Sequence, residues 1–143
     1  MRAKTKQAAK PAAKKSIRKP TISMIITIRG AEPLAQSTCE CARDTAGGDI
    51  ELVVVCDGQP AEPWMDGLAD HVIELERPTC PQRARHEGII RSSGDLVVLT
   101  DAHMRYSTGW ARDLATYYRD AATQGTLSCC MIGSLTERGV TSD

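Results

Sequence analysis

Phenylalanine is absent from this chain and aromatic residues make up 3% of it, so its core has to be aliphatic. No apolar run approaches the length of a membrane span. The N-terminus lacks the hydrophobic stretch of a secretory signal peptide, and its Lys/Ala bias differs from the Arg/Ser bias of a transit peptide. Six cysteines are present (Cys39, Cys41, Cys56, Cys80, Cys129, Cys130), but no spacing among them makes a zinc signature. Cys39 and Cys41 form C-x-C, not C-x-x-C. With no secretory signal, free thiols in a reducing cytoplasm are the expectation. No internal repeat is visible.

Lysine is missing after Lys19. Eight basic residues (Arg2, Lys4, Lys6, Lys10, Lys14, Lys15, Arg18, Lys19) crowd the first twenty positions, with no acid among them. From Thr21 to Asp143 ten basic residues face eighteen acidic ones, so a chain of formal net charge +0 carries a body of about −8. Residues 1–20, rich in Ala and Lys with two prolines, are expected to be a disordered basic leader. Such a segment serves as a solubilising tail, or as an arm for nucleic acid or another anionic surface. Residues 21–143 have the length and composition of one ordinary globular domain.

Within that body, Ile22 to Ile28 reads as a strand buried on both faces, broken by Arg29-Gly30-Ala31-Glu32-Pro33. Leu34 to Thr45 reads as a helix closed by Gly47-Gly48. Ile50 to Cys56 is a second buried strand, stopped at Asp57-Gly58. A short helix over Trp64 to Ala69 and a shorter strand over His71 to Leu75 follow. Gln82 to Ser93 has helical spacing, with Ala84, Gly88, Ile89 and the stem of Arg85 near one face. Leu96 onward is a strand, Trp110 to Ala122 a helix, and Thr126 to Ile132 a further strand. This alternation predicts an α/β, Rossmann-like domain: a mostly parallel sheet with helices on both faces.

The polar residues of interest fall at strand ends. Asp101 and His103 are two apart at the end of an apolar strand, so both can point to one side and share a cation. A carboxylate oxygen with an imidazole nitrogen suits a borderline divalent ion such as Mn²⁺. Arg29 with Glu32, and Asp57, stand at two other strand ends. In a parallel sheet these ends lie along one edge, where open α/β folds bind their ligands. Asp57 offers hydrogen-bond acceptance to a base or ribose. Arg83, Arg85 and Arg91 offer charge for a diphosphate, Arg85 being best placed. Taken singly, each has a plainer reading: Asp-Gly is ordinary turn chemistry, and a D-x-H pair can simply cap a strand. The order in which they occur together favours a site.

These segments resemble the GT-A glycosyltransferases of the large family-2-like group, from Thr21 to about Leu135. Ser23-Met24-Ile25-Ile26-Thr27 is similar to that group's first strand. Leu52-Val53-Val54-Val55-Cys56-Asp57-Gly58 resembles its second strand, which usually ends Asp-Asp-Gly-Ser. Ala84-Arg85-His86-Glu87-Gly88 matches its Ala-Arg-Asn-x-Gly helix. Thr100-Asp101-Ala102-His103 stands where the D-x-D metal motif belongs, in the D-x-H form used by polypeptide N-acetylgalactosaminyltransferases. The resemblance implies a metal-dependent transferase of hexosyltransferase type that uses a nucleotide-diphosphate sugar, specifically a UDP-sugar. It places Asp57 on the uridine, Arg85 on the nucleotide or diphosphate, and Asp101 with His103 on Mn²⁺ or Mg²⁺; the strand-end position, not the resemblance, adds Arg29 and Glu32 to the expected donor site.

Two departures stand inside the motifs: Cys56 replaces the first aspartate of the usual pair, and Arg29-Gly30 replaces an aromatic-Asn pair. The acceptor-binding half is expected to be largely missing, so no catalytic base is assigned, and a partner chain or homo-oligomer is expected to complete it. Two other readings keep the fold. One is a nucleotidyltransferase, against which stands the lack of a Gly-rich basic signature after the first strand. The other is a non-catalytic nucleotide-binding or assembly module with a nucleic-acid-binding arm.

Overall fold

A computed structural model of the protein describes residues 19–123. The leader up to residue 18 and the strand expected over 126–132 lie outside the described residues. Four strands, β1 (Ile22–Ile28), β2 (Glu51–Asp57), β3 (His71–Leu75) and β4 (Leu96–Thr100), alternate with helices α1 (Ala35–Thr45), α2 (Pro81–Arg91) and α3 (Trp110–Thr123). The strands form one parallel sheet in the order β3-β2-β1-β4. β1 and β2 are central, and their near-continuous burial explains why both read as unbroken apolar runs.

Strand periodicity divides the core in two. Met24, Ile26, Ile28, Leu52, Val54 and Cys56 face α1 and α3, packing on Ala35, Cys39, Ala42, Trp110, Ala111 and Ala115. Ile25, Val53 and Val55 face the other way, toward Ala84 of α2 and Ile73. The expectation of helices on both faces is met. α2 lies over β1, β2 and β3 and sits very close to the sheet, because a Cβ on Gly88 would fall 2.5 Å from Ile25 Cγ2. It leaves β4 bare on that side: Val97 and Leu99 are exposed. Ile89, expected on the packed face, is exposed as well.

Two other boundaries differ from expectation. The helix expected over Trp64 to Ala69 is only a 3-10 turn, Pro63–Met65, and Gly67 behind it has φ +76°, which no helix continues. α2 stops at Arg91, because Ser92 turns extended and Ser93 is drawn to Glu51.

Glu51 ties the N-terminal edge of the sheet together. Its carboxylate accepts from the Ser23 hydroxyl of β1, and from the Ser93 amide at 2.7 Å and hydroxyl at 2.8 Å just before β4. It also pairs with His71 Nε2 of β3 at 3.2 Å. Ser23 Oγ in turn accepts from the Gly94 amide at 2.7 Å. Burial works to raise the Glu51 carboxyl, but the Ser23 bond, the two Ser93 bonds and the His71 charge outweigh it and hold the group at about 2. One side chain of β2 thus links β1, β3 and the segment that leads into β4.

Candidate active site

The chain reverses its direction of travel across the sheet between β1 and β4, and open α/β sheets bind their ligands in the crevice beyond the strand ends at such a point. Three of the expected residues, Arg29, Asp57 and Asp101, lie on this edge.

Asp57 closes β2 and is 3% exposed. Its Oδ1 accepts from the Thr79 amide at 2.7 Å and the Thr79 hydroxyl at 2.9 Å. Its Oδ2 lies 3.8 Å from Arg29 Nε. The turn behind it is tight: Gly58 has φ +81°, its amide donates to Leu75 O at 3.0 Å, and a Cβ there would fall 2.4 Å from Pro78 N. Only glycine lets the 78–79 loop close over Asp57 in this way.

β4 ends at Thr100, short of the expected strand end at His103, and the chain turns at Ala102 and His103. Asp101 and His103 are exposed while Ala102 and Met104 are buried. The backbone carrying them is pinned from below by Thr38, a fully buried residue of α1. Its hydroxyl donates to Ala102 O at 3.0 Å and accepts from the Met104 amide at 3.1 Å. Further along, Tyr106 packs on Trp110 with ring centroids 5.0 Å apart and hydrogen-bonds the Thr100 hydroxyl. Trp110 donates through Nε1 to Ala42 O at 2.9 Å. Burial pushes the Tyr106 phenol up to about 12, so it remains a neutral group.

Arg85, in the second turn of α2, reaches across to this segment. Its Nη2 donates to Asp101 Oδ1 at 3.0 Å. A small cleft of about 160 Å³ lies beside the pair, lined by Arg85, Thr100, Asp101, Met104 and Tyr106 among others. Arg85 Nε is buried there without a hydrogen-bond partner. Each carboxylate at the crevice is therefore faced by a guanidinium: Asp57 by Arg29, Asp101 by Arg85. Such an edge combines acceptors for a nucleoside with cationic groups for its phosphates.

The remaining expected residues fare differently. Glu32 sits in the turn before α1, half-buried; its carbonyl accepts from the Ala35 amide at 3.0 Å, and its carboxylate joins none of the other site groups among the described residues. Arg83 borders a separate hollow with Glu74, Glu76, Arg77 and Cys80. Arg91 is excluded from the site. It ends α2, six residues and so about 9 Å of helix beyond Arg85 by the rise per residue, toward the edge held by Glu51. Cys56 points into the core, its Sγ 3.6 Å from Met65 Sδ, and burial raises its thiol to about 11. It is a packing residue, not a ligand.

The family description Glycosyl transferase family 2 matches residues 23–139, from the second residue of β1 past the end of α3. The chain belongs to glycosyl transferase family 2. No curated protein matches it. Family 2 enzymes transfer sugars from nucleotide-sugar donors, and many use a divalent cation. The parallel sheet flanked by helices agrees with the GT-A, Rossmann-like fold of the family. At the family level this is a nucleotide-sugar glycosyltransferase domain, with its strand-end crevice where a donor site is expected.

Thr38 and Thr79 were not singled out by the sequence reading, although both hold site residues in place. The signal for Thr38 was available: it falls on the apolar stripe of α1 with Ala35, Cys39 and Ala42, where a polar residue needs a buried partner. Thr79 gave no such signal, being one polar residue in a loop.

Proposed function

We propose that this domain binds a hexosyl UDP-sugar together with Mn²⁺ or Mg²⁺ and offers the sugar's anomeric carbon to an acceptor. The observation that carries the reading is the Arg85–Asp101 pair beside a cleft of about 160 Å³, with His103 exposed two residues on and the intervening backbone held by Thr38. A carboxylate and an imidazole so near in the chain suit a divalent cation as ligands. Among the described residues no group of three or more His, Cys, Asp or Glu could hold a metal ion. When bound, the cation would neutralise the diphosphate and ease its departure as leaving group.

The chain's own groups do the rest. Asp57, with Oδ1 committed to Thr79, keeps Oδ2 for a donor group of the base or ribose. Arg29 and Arg85 supply positive charge on either side of the crevice. Four cysteines are unpaired (Cys39, Cys41, Cys56, Cys80), which supports a reducing, cytoplasmic setting. No helix among the described residues is long and apolar enough to cross a membrane. The basic run in residues 1–20 supports an arm for an anionic partner such as nucleic acid. Salt-sensitive binding that vanishes on deleting that run would establish it.

Isothermal titration with UDP, with and without Mn²⁺, tests the donor site. Loss of an outer-shell partner of a metal typically costs about 10–100-fold, and loss of a direct ligand should cost no less. His103→Ala is thus expected to weaken Mn²⁺ and metal-dependent UDP binding together by at least about tenfold. Unchanged affinity for both would remove His103 from the site.

A further inference from the structure

Arg85 and Asp101 come from different elements, yet they meet at 3.0 Å at the point where cation and diphosphate are assigned. Resting on that assignment, we propose that the pair is a latch which the cation opens: once Asp101 turns to the cation, Arg85 is released to the diphosphate. Three observations lead there.

The first is a conflict of charge. Asp101 is the anionic member of the exposed Asp101–His103 pair, and one of its oxygens already accepts from a guanidinium. A divalent ion on the same carboxylate would sit within a few ångströms of that guanidinium, and two cations so close repel each other. Cation and Arg85 therefore compete for Asp101.

The second concerns unused donors. A guanidinium carries five N–H groups in a rigid fork, and Asp101 accepts through a single oxygen from Nη2. Arg85 Nε is buried with no partner, a costly condition for a donor. A diphosphate presents several oxygens and can satisfy a fork that one carboxylate oxygen leaves half-used. The guanidinium has more to gain from the nucleotide than from Asp101.

The third is space. The cleft of about 160 Å³ adjoining the pair is bounded by Arg85 and Asp101 themselves, together with the neutral Tyr106 and Met104. Neither Tyr106 nor Met104 brings a charge that would hold Arg85 in its present position. Both partners are also partly open to water, at 35% and 51% exposure, so the pair is weak enough to exchange.

The latch makes Arg85 contribute more to nucleotide binding when the cation is present. By linkage, cation and nucleotide then favour each other's binding through this exchange, in addition to any direct contact between them. An arginine that is simply a permanent phosphate ligand would behave otherwise.

Titration calorimetry on the full chain distinguishes these, using Mn²⁺ alone, UDP alone and UDP with saturating Mn²⁺. Removing the competitor with Arg85→Met should tighten binding of Mn²⁺ alone by about two- to fivefold, the range open ion pairs support. The same variant should fall further below the wild type for UDP when Mn²⁺ is present than when it is absent. Asp101→Ala frees the guanidinium from the other side and should raise metal-free UDP affinity by about two- to fivefold. If Arg85→Met weakens UDP binding equally with and without Mn²⁺, or if Asp101→Ala leaves metal-free UDP binding unchanged, the latch is overturned while the donor site stands. If the wild type binds neither Mn²⁺ nor UDP, the donor reading fails and the latch fails with it.

Discussion

The Thr38 hydroxyl donates to the carbonyl of Ala102 from the buried face of a helix 64 residues earlier in the chain. That bond and its companion from the Met104 amide grip the backbone on both sides of His103. A helix that never reaches the crevice thereby sets how Asp101 and His103 are presented.

Thr38→Val keeps the shape and removes the hydroxyl. It leaves a buried amide and carbonyl unpaired, which should cost about 1–3 kcal/mol in urea unfolding. Mn²⁺ affinity should fall as the 101–104 backbone loosens. Thr38→Ser should recover most of both losses; a fully stable Thr38→Val protein would show that the grip is dispensable.

Gly58→Ala should be more damaging than a half-buried turn position suggests. Its φ of +81° is unfavourable for any Cβ, and that Cβ would meet Pro78 N at 2.4 Å. The expected loss is about 2 kcal/mol or more, because the 78–79 loop must move and release Thr79 from Asp57. Thermal melts with and without UDP would check both parts: a lower midpoint, and a smaller stabilisation by ligand.

Acid should weaken the fold through Glu51. The folded-state value is depressed to about 2 from an ordinary value near 4.5, so the stabilisation is fully present above about 4.5. It is lost as pH falls from there through about 2, because the unfolded chain takes up the proton first. Urea midpoints measured at successive pH values should drop across that window in the wild type. Glu51→Gln should start lower and show a flatter decline; parallel curves would locate the acid sensitivity elsewhere.

Thiol reactivity should divide by burial. Desolvation raises Cys39 to about 12 and Cys56 to about 11, whereas Cys80 is exposed. Alkylation at pH 8 followed by peptide mapping should label Cys80 rapidly and leave Cys39 and Cys56 unmodified until denaturant is added. Early labelling of Cys56 would contradict its packing against Met65.

Much of this was legible in the order of residues. β1 and β2 announce themselves as β-branched runs because both faces are covered, whereas the strand expected to run to His103 ends at Thr100 and gives way to a turn. What escaped depends on register between distant strands. Glu51 reads as one more acid opening a strand until β1 and β3 bring Ser23 and His71 beside it. Arg91 reads as a third cation near Arg85 until the helix carries it to the opposite edge. The exposure of Ile89 was equally hidden, since periodicity marks a helix face without saying how wide a sheet lies beneath it.

The Glu51 junction also bears on how freely this protein can change. Because β1, β2, β3 and the lead-in to β4 are secured at one edge of the sheet, the exposed side chains at the other edge are not needed for that junction. The side chains of Arg29, Asp101 and His103 can therefore be exchanged with modest effect on folding, whereas Ser23, Glu51 and Ser93 cannot. Donor preference becomes a trait that drifts or can be selected on a scaffold whose integrity is decided elsewhere.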